Sequence, residues 1–146
     1  MQSNTGQIPK RQTIGSCGYD FYAPEDIVLT PGEWTTIDTG VRFDGKECVL
    51  ALDNHSNISY HNGWFMLIVP RSGFGSNYGF RLRNTVGIID MDYRDTIKAT
   101  MTVDIPLTIK KGKRFMQGII LPFGVFNNEE IPISERNGGH GSTGVN

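Results

Sequence analysis

Apolar and polar residues alternate along much of this chain. From Ile97 to Ile105 the sequence reads IKATMTVDI, so Ile97, Ala99, Met101, Val103 and Ile105 share one face and Lys98, Thr100, Thr102 and Asp104 the other. A period of two predicts a strand with one buried face. Gly63 to Pro70, GWFMLIVP, is a nearly continuous apolar run, short enough for a strand buried on both sides. Phe115 to Leu121, FMQGIIL, is similar but is interrupted by Gln117. Shorter strands are predicted at Asp26–Leu29, Trp34–Asp38, Val41–Phe43 and Cys48–Leu52, separated by the turn signals Pro31-Gly32, Asp44-Gly45 and Lys111-Gly112. No long stretch carries the 3.6-residue period of a helix, and one short helix is predicted around Gly73 to Tyr78. Many short strands between frequent turns point to an all-β sandwich or barrel.

Two stretches break the alternation. Asp53 to Asn62, DNHSNISYHN, reads as a polar exposed loop, and Glu135 to Asn146, ERNGGHGSTGVN, has almost nothing to bury. The latter reads equally as a mobile tail or as a lid that orders over a ligand. Composition narrows the class. The 146 residues fit one domain, and the formal charge of -1 argues against a constitutive nucleic-acid or membrane-surface binder. The 18 glycines and 7 prolines favour turns, hence β-structure. No apolar run approaches the ~18 residues of a membrane span, and the polar start MQSNTGQIPKRQ is unlike a signal peptide. Cys17 and Cys48 offer no metal-ligand spacing and read as reduced thiols, which suggests the cytoplasm.

Some residue groups suit chemistry. In Pro70-Arg71-Ser72-Gly73, Ser72 is a natural N-cap for the short helix, and Arg71 beside a helix start also suits an anion. The segment Asn84 to Arg94, NTVGIIDMDYR, reads as a β-hairpin whose backbone can imitate one edge of a base pair. Within it, Asn84 both donates and accepts, Asp90 suits a general base, and Tyr93 suits packing on a sugar. Asp20 lies between aromatics in GYDFY, where a turn role is the commoner one. Gly138 to Gly144 could wrap phosphates with amides and hydroxyls, although it lacks the ending of a P-loop.

In order, these pieces resemble the motifs of the trimeric, all-β dUTPase family: GYDFYA at 18–23, PRSGFG at 70–75, NTVGIIDMDYRDTI at 84–97, GKRFMQGII at 112–120 and RNGGHGSTG at 136–144. The resemblance implies a jelly-roll-like β-barrel over residues 1–134, a flexible C-terminal motif over 135–146, and a homotrimer with active sites between subunits. The implied reaction is Mg²⁺-dependent hydrolysis of dUTP to dUMP and pyrophosphate, which keeps uracil out of DNA. By the same resemblance, Asp90 deprotonates the attacking water, and Asp20 meets Mg²⁺ through water. Arg71, Ser72, Gly73 and Gln117 would contact phosphate. Asn84 and the backbone around Gly87 and Ile89 would read uracil, and Tyr93 would exclude a 2′-hydroxyl. In the last motif, Gly141, Ser142 and Thr143 would close on the nucleotide, with Arg136 on phosphate. His140 stands where the family usually stacks a Phe, and the spacing back to Arg136 is one residue short.

Two related activities compete. A dCTP deaminase shares the fold but needs a glutamate base, and Thr100 stands at that position, with no Glu between Lys98 and Asp104. A dUTP-sensing regulator would hold a protein partner through residues 53–62, which lie in an apparent insertion between Val41 and Gly63.

Overall fold

The computed structural model describes residues 1–4, 7–48, 63–126 and 128. In chain order the strands are β1 (Gln2–Ser3), β2 (Gly18–Tyr22), β3 (Ile27–Leu29), β4 (Thr35–Asp38), β5 (Val41–Arg42), β6 (Trp64–Pro70), β7 (Arg81–Leu82), β8 (Gly87–Ile89), β9 (Lys98–Thr102), β10 (Leu107–Ile109) and β11 (Arg114–Pro122). One helix, α1 (Ser72–Tyr78), follows β6. All ladders are antiparallel: a four-stranded sheet β2-β11-β6-β8, a three-stranded sheet β4-β9-β7, and the pairs β10-β3 and β1-β5. The expected all-β class is therefore present, with one short α-helix among the described residues. No helix among the described residues is long and apolar enough to cross a membrane.

The two apolar runs form the middle of the larger sheet. β6 and β11 pair from Trp64–Pro122 to Pro70–Met116, and Met66, Ile68, Phe115 and Met116 enter a core shared with Phe21, Ile97 and Met101. Gly118 belongs there because a Cβ would stand 2.5 Å from Met66 Sδ and 3.0 Å from the Phe21 ring. Turn glycines appear where the dipeptides predict them: Gly32 and Gly112 have φ of +82° and +77°, a region that costs glycine little. Gly79, with φ +62°, ends α1, its N–H donating to Gly75 O at 3.0 Å while the Phe80 N–H reaches Phe74 O at 3.3 Å.

Several local expectations are corrected. The strand predicted to Ile105 ends at Thr102, because the amides of Asp104 and Ile105 both turn to Tyr78 O, at 2.8 and 3.3 Å. Thr102 is consequently buried while Ile105 is exposed. Asp44-Gly45 is no tight hairpin turn. Asp44 caps a short 3-10 turn, Gly45–Glu47, by accepting from the Lys46 N–H at 3.0 Å. Residues 84–94 do not form a hairpin of paired strands. β8 joins β6, whereas β9 joins β4 and β7, so this segment crosses between sheets. The strand expected at Cys48–Leu52 (beyond Cys48), the loop 53–62 and the segment 135–146 fall outside the described residues.

Candidate active site

Asp20 sits at the centre of β2, directly across from Gln117 on β11, and is 6% exposed. A buried carboxylate needs compensating charge. It has two partners: Arg71 Nε lies 3.2 Å from one oxygen and Arg114 Nη1 3.0 Å from the other. Arg71 is the first residue after β6, and Arg114 opens the adjacent β11, so the sheet itself sets the two guanidinium groups side by side. Arg71 also donates to Arg114 O at 3.4 Å. Two cations against one carboxylate leave a net positive charge, and it faces a cavity of about 410 Å³ lined also by Cys17, Ser72 and Gln117. Gln117 lies over Gly18, where any Cβ would collide with its amide.

Ser72 does not cap the helix. Arg71 occupies the cap position without a side-chain bond, and Ser72 is the first helical residue, exposed and lining the cavity. Gly73 follows, and a Cβ there would meet nothing within 4 Å, so packing inside the chain does not demand glycine. Arg114 was not legible as a site residue, because an arginine opening a strand has no distinctive sequence signal.

A second cavity, about 170 Å³, lies at the seam between the two larger sheets. Asn84, Gly87 and Ile89 line it together with Ile68 of β6 and Lys98 and Thr100 of β9. Gly87 sits close to β6: a Cβ there would stand 3.1 Å from Ile68 Cβ, a tight contact that a side chain makes only if Ile68 gives by a few tenths of an ångström. Thr100 shares a hydroxyl bond with Thr36 at 2.8 Å. Lys98 pairs with Asp95 at 3.7 Å. The Thr96 N–H, 2.8 Å from Asp95, and then the Lys98 ammonium hold that carboxyl below its ordinary value.

Asp90 is exposed at the end of β8, beside an apolar hollow of about 500 Å³ formed by Phe65, Ile88, Met91 and Phe123. Tyr93 is 5% exposed, its N–H donating to Asp90 O at 3.1 Å and its hydroxyl to Thr96 O at 3.1 Å. Little of its ring is open within one protomer.

Strand register separates these groups. Ile68 pairs with Gly87 and Met66 with Ile89, so Asp90 falls opposite Phe65. Arg71 lies six residues further along the chain, roughly 20 Å at ~3.3 Å per residue. The chain thus holds Arg71, Ser72, Gln117 and Asp20 together, and Asp90 elsewhere. Among the described residues no group of three or more His, Cys, Asp or Glu could hold a metal. Each Asp20 oxygen already accepts one guanidinium nitrogen, which leaves lone pairs for a metal-bound water but makes direct ligation costly. That donor set fits a cation carried mainly by a polyphosphate. Arg136, His140, Gly141, Ser142 and Thr143 lie outside the described residues.

The all-β chain thus carries a cationic pocket and a separate seam cavity, and comparison identifies its kind. The chain belongs to the dUTPase family, which it matches over residues 4–144. It is 35% identical over 143 residues to the deoxyuridine 5′-triphosphate nucleotidohydrolase of Nautilia profundicola, an alignment covering 94% of this chain and 90% of that protein. Its fold is similar to the crystal structure of dUTPase from Streptococcus mutans, with TM-score 0.63, 26% identity, and coverage of 82% and 88% of the two chains. It is also similar to a mutant dUTPase of phage phi11 of S. aureus, whose structure reveals coordination of a structural Mg(II) ion, with TM-score 0.65, 18% identity and coverage of 88% and 92%.

Proposed function

We propose that the protein hydrolyses dUTP to dUMP and pyrophosphate, with water attacking the α-phosphorus. The observation that carries this reading is the pocket at Asp20, where Arg71 and Arg114 share one carboxylate beside Ser72 and Gln117. An excess of positive charge suits a triphosphate, whose leaving pyrophosphate gains charge in the transition state. Arg71, Ser72, Gly73 and Gln117 bind phosphate oxygens, and Asp20 holds Arg71 in position. Asp90 takes the proton from the attacking water, because neutral water is a poor nucleophile. Asp20 would hold Mg²⁺ through water, and the ion would supply charge neutralisation for the triphosphate. Asn84 and the backbone at Gly87 and Ile89 read the uracil in the seam cavity, and a donor on cytosine in place of an acceptor costs roughly 1–3 kcal/mol there. Tyr93 packs on the deoxyribose, with its buried hydroxyl fixing the ring.

The ~20 Å between Arg71 and the Asp90 position requires a second copy of the chain to complete each site. A homotrimer supplies it, and the exposed Ile88 (61%), which lines the apolar hollow beside Asp90, suits burial between protomers. Residues 1–134 then form the β-domain, and Arg136, His140, Gly141, Ser142 and Thr143 close over the nucleotide from the C-terminal segment. The test is to follow pyrophosphate and nucleotide products from dUTP, dCTP, dTTP and UTP with Mg²⁺. Release from dUTP alone, giving dUMP, is expected. Ammonia from dCTP, or silence on all four, would sink the reading.

A further inference from the structure

The chain crosses from the three-stranded to the four-stranded sheet between Leu82 and Gly87, and the crossing is strained at one residue. Thr85 has φ +66°, and among the described residues every other positive-φ position is a glycine: Gly32, Gly40, Gly79 and Gly112. A β-branched side chain is a poor choice for that region, because its Cβ substituents crowd the backbone. Two bonds hold it there. The Thr85 N–H donates to Leu82 O at 3.1 Å, and the Val86 N–H reaches back over Thr85 to Asn84 O at 2.7 Å. A three-residue turn with positive φ at its centre is the strained member of its class.

The flanking residues are those of the seam cavity. Leu82, Asn84, Gly87 and Ile89 line it, and only Thr85 and Val86 separate Asn84 from Gly87. Gly87 is fixed by its pairing with Ile68 in the β6–β8 ladder. The placement of Asn84 relative to Gly87 in that lining therefore depends on the turn at Thr85. Strain of this kind persists where surrounding structure over-determines it, and it recurs at ligand clamps.

We propose that Thr85 is a positioning residue for base recognition: its strained turn holds Asn84 against Gly87 before a nucleotide arrives. The inference rests on the dUTP reading above. The turn also spends the Asn84 carbonyl and the Val86 N–H on each other, so the rim presents the Asn84 side chain rather than loose backbone groups. Preorganisation of this sort contributes affinity by removing an ordering cost from the binding step.

The experiment compares wild type, Thr85→Gly and Thr85→Asn in steady-state hydrolysis of dUTP and dCTP, with thermal unfolding of each. Glycine relieves the strain but frees the turn, whereas asparagine tolerates positive φ and keeps it restricted. Thr85→Gly should raise KM for dUTP about tenfold, the scale of freeing one backbone residue, with kcat within about twofold and no loss of Tm. Its preference for dUTP over dCTP should fall. Thr85→Asn should restore wild-type KM and preference. An unchanged KM and preference in Thr85→Gly would overturn the proposal while the dUTP reading stands. So would an asparagine variant as impaired as the glycine one, since that assigns the effect to the threonine side chain. A wild-type enzyme inactive on dUTP would instead overturn the reading itself, and the inference with it.

Discussion

Asp20 shows how a residue's environment decides its role. In sequence it is one carboxylate between aromatics. In the fold it is the counter-charge of both Arg71 and Arg114, which approach it at 3.2 and 3.0 Å. Removing that charge leaves two guanidinium groups facing each other across a buried amide. Breaking a buried pair costs ~3–5 kcal/mol, but the arginine side chains are 34% and 38% exposed, so water screens much of the repulsion. Asp20→Asn should therefore destabilise the protein by about 1–3 kcal/mol and raise KM for dUTP as Arg71 loses its anchor. Denaturant unfolding and initial-rate kinetics check both, and unchanged values in each would refute the anchoring role. Cys17 is exposed and Cys48 half-buried, and they form no disulfide with each other. Burial raises the Cys48 thiol pKa.

At the scale of elements, the turn from Asp95 to Lys98 joins charge to the seam cavity. Asp95 accepts from the Thr96 N–H and pairs with Lys98, which lines that cavity, and its carboxyl pKa is lowered. A depressed carboxyl pKa stabilises the fold fully above the unfolded value of ~3.9, and that contribution fades as pH falls through the lower folded value. Asp95→Asn should lower Tm by a constant amount between about pH 6 and 8, and the gap from wild type should close below about pH 4. Tm measured across that range decides it. A gap that stays constant into acid would show that the charge is not the cause. The elements also show what strand patterns convey. GWFMLIVP and FMQGIIL form the central strands, but burial on both sides is not what the fold gives them: Met66 and Ile68 are buried, whereas Phe65, Leu67 and Val69 on the opposite face, like Ile119 and Ile120, are half-buried. The strand after Ile97 was overextended, because the docking of Asp104 and Ile105 on Tyr78 O is a contact between distant segments.

At the scale of the whole molecule, the proposed base Asp90 and the proposed phosphate ligand Arg71 fall at two places on one chain. Asp90→Asn and Arg71→Ala should each abolish turnover, the first through the base and the second through phosphate binding. If neighbouring subunits share a site, mixed and refolded trimers regain activity, because a site can take its arginine from one mutant and its base from the other. Equal mixing should restore about a quarter of wild-type turnover by random assembly. A mixture as silent as its parents would refute the shared site.

The sequence by itself determined the all-β class, the central strands, the turn glycines at 32 and 112, and the ordered motifs that carry the family. These are local properties: period-two burial, backbone freedom at glycine, and short runs of side chains. Those motifs also carry Asp20, Arg71, Ser72, Gln117, Asn84, Gly87, Ile89 and Asp90, whose proposed roles rest on the resemblance. Only the tertiary structure decided that Arg114 shares Asp20 with Arg71, that Lys98 reaches the seam cavity, and that Thr85 is held at positive φ between Asn84 and Gly87. Each depends on strand register and on the crossing between sheets, which brings together residues that no spacing along the chain connects.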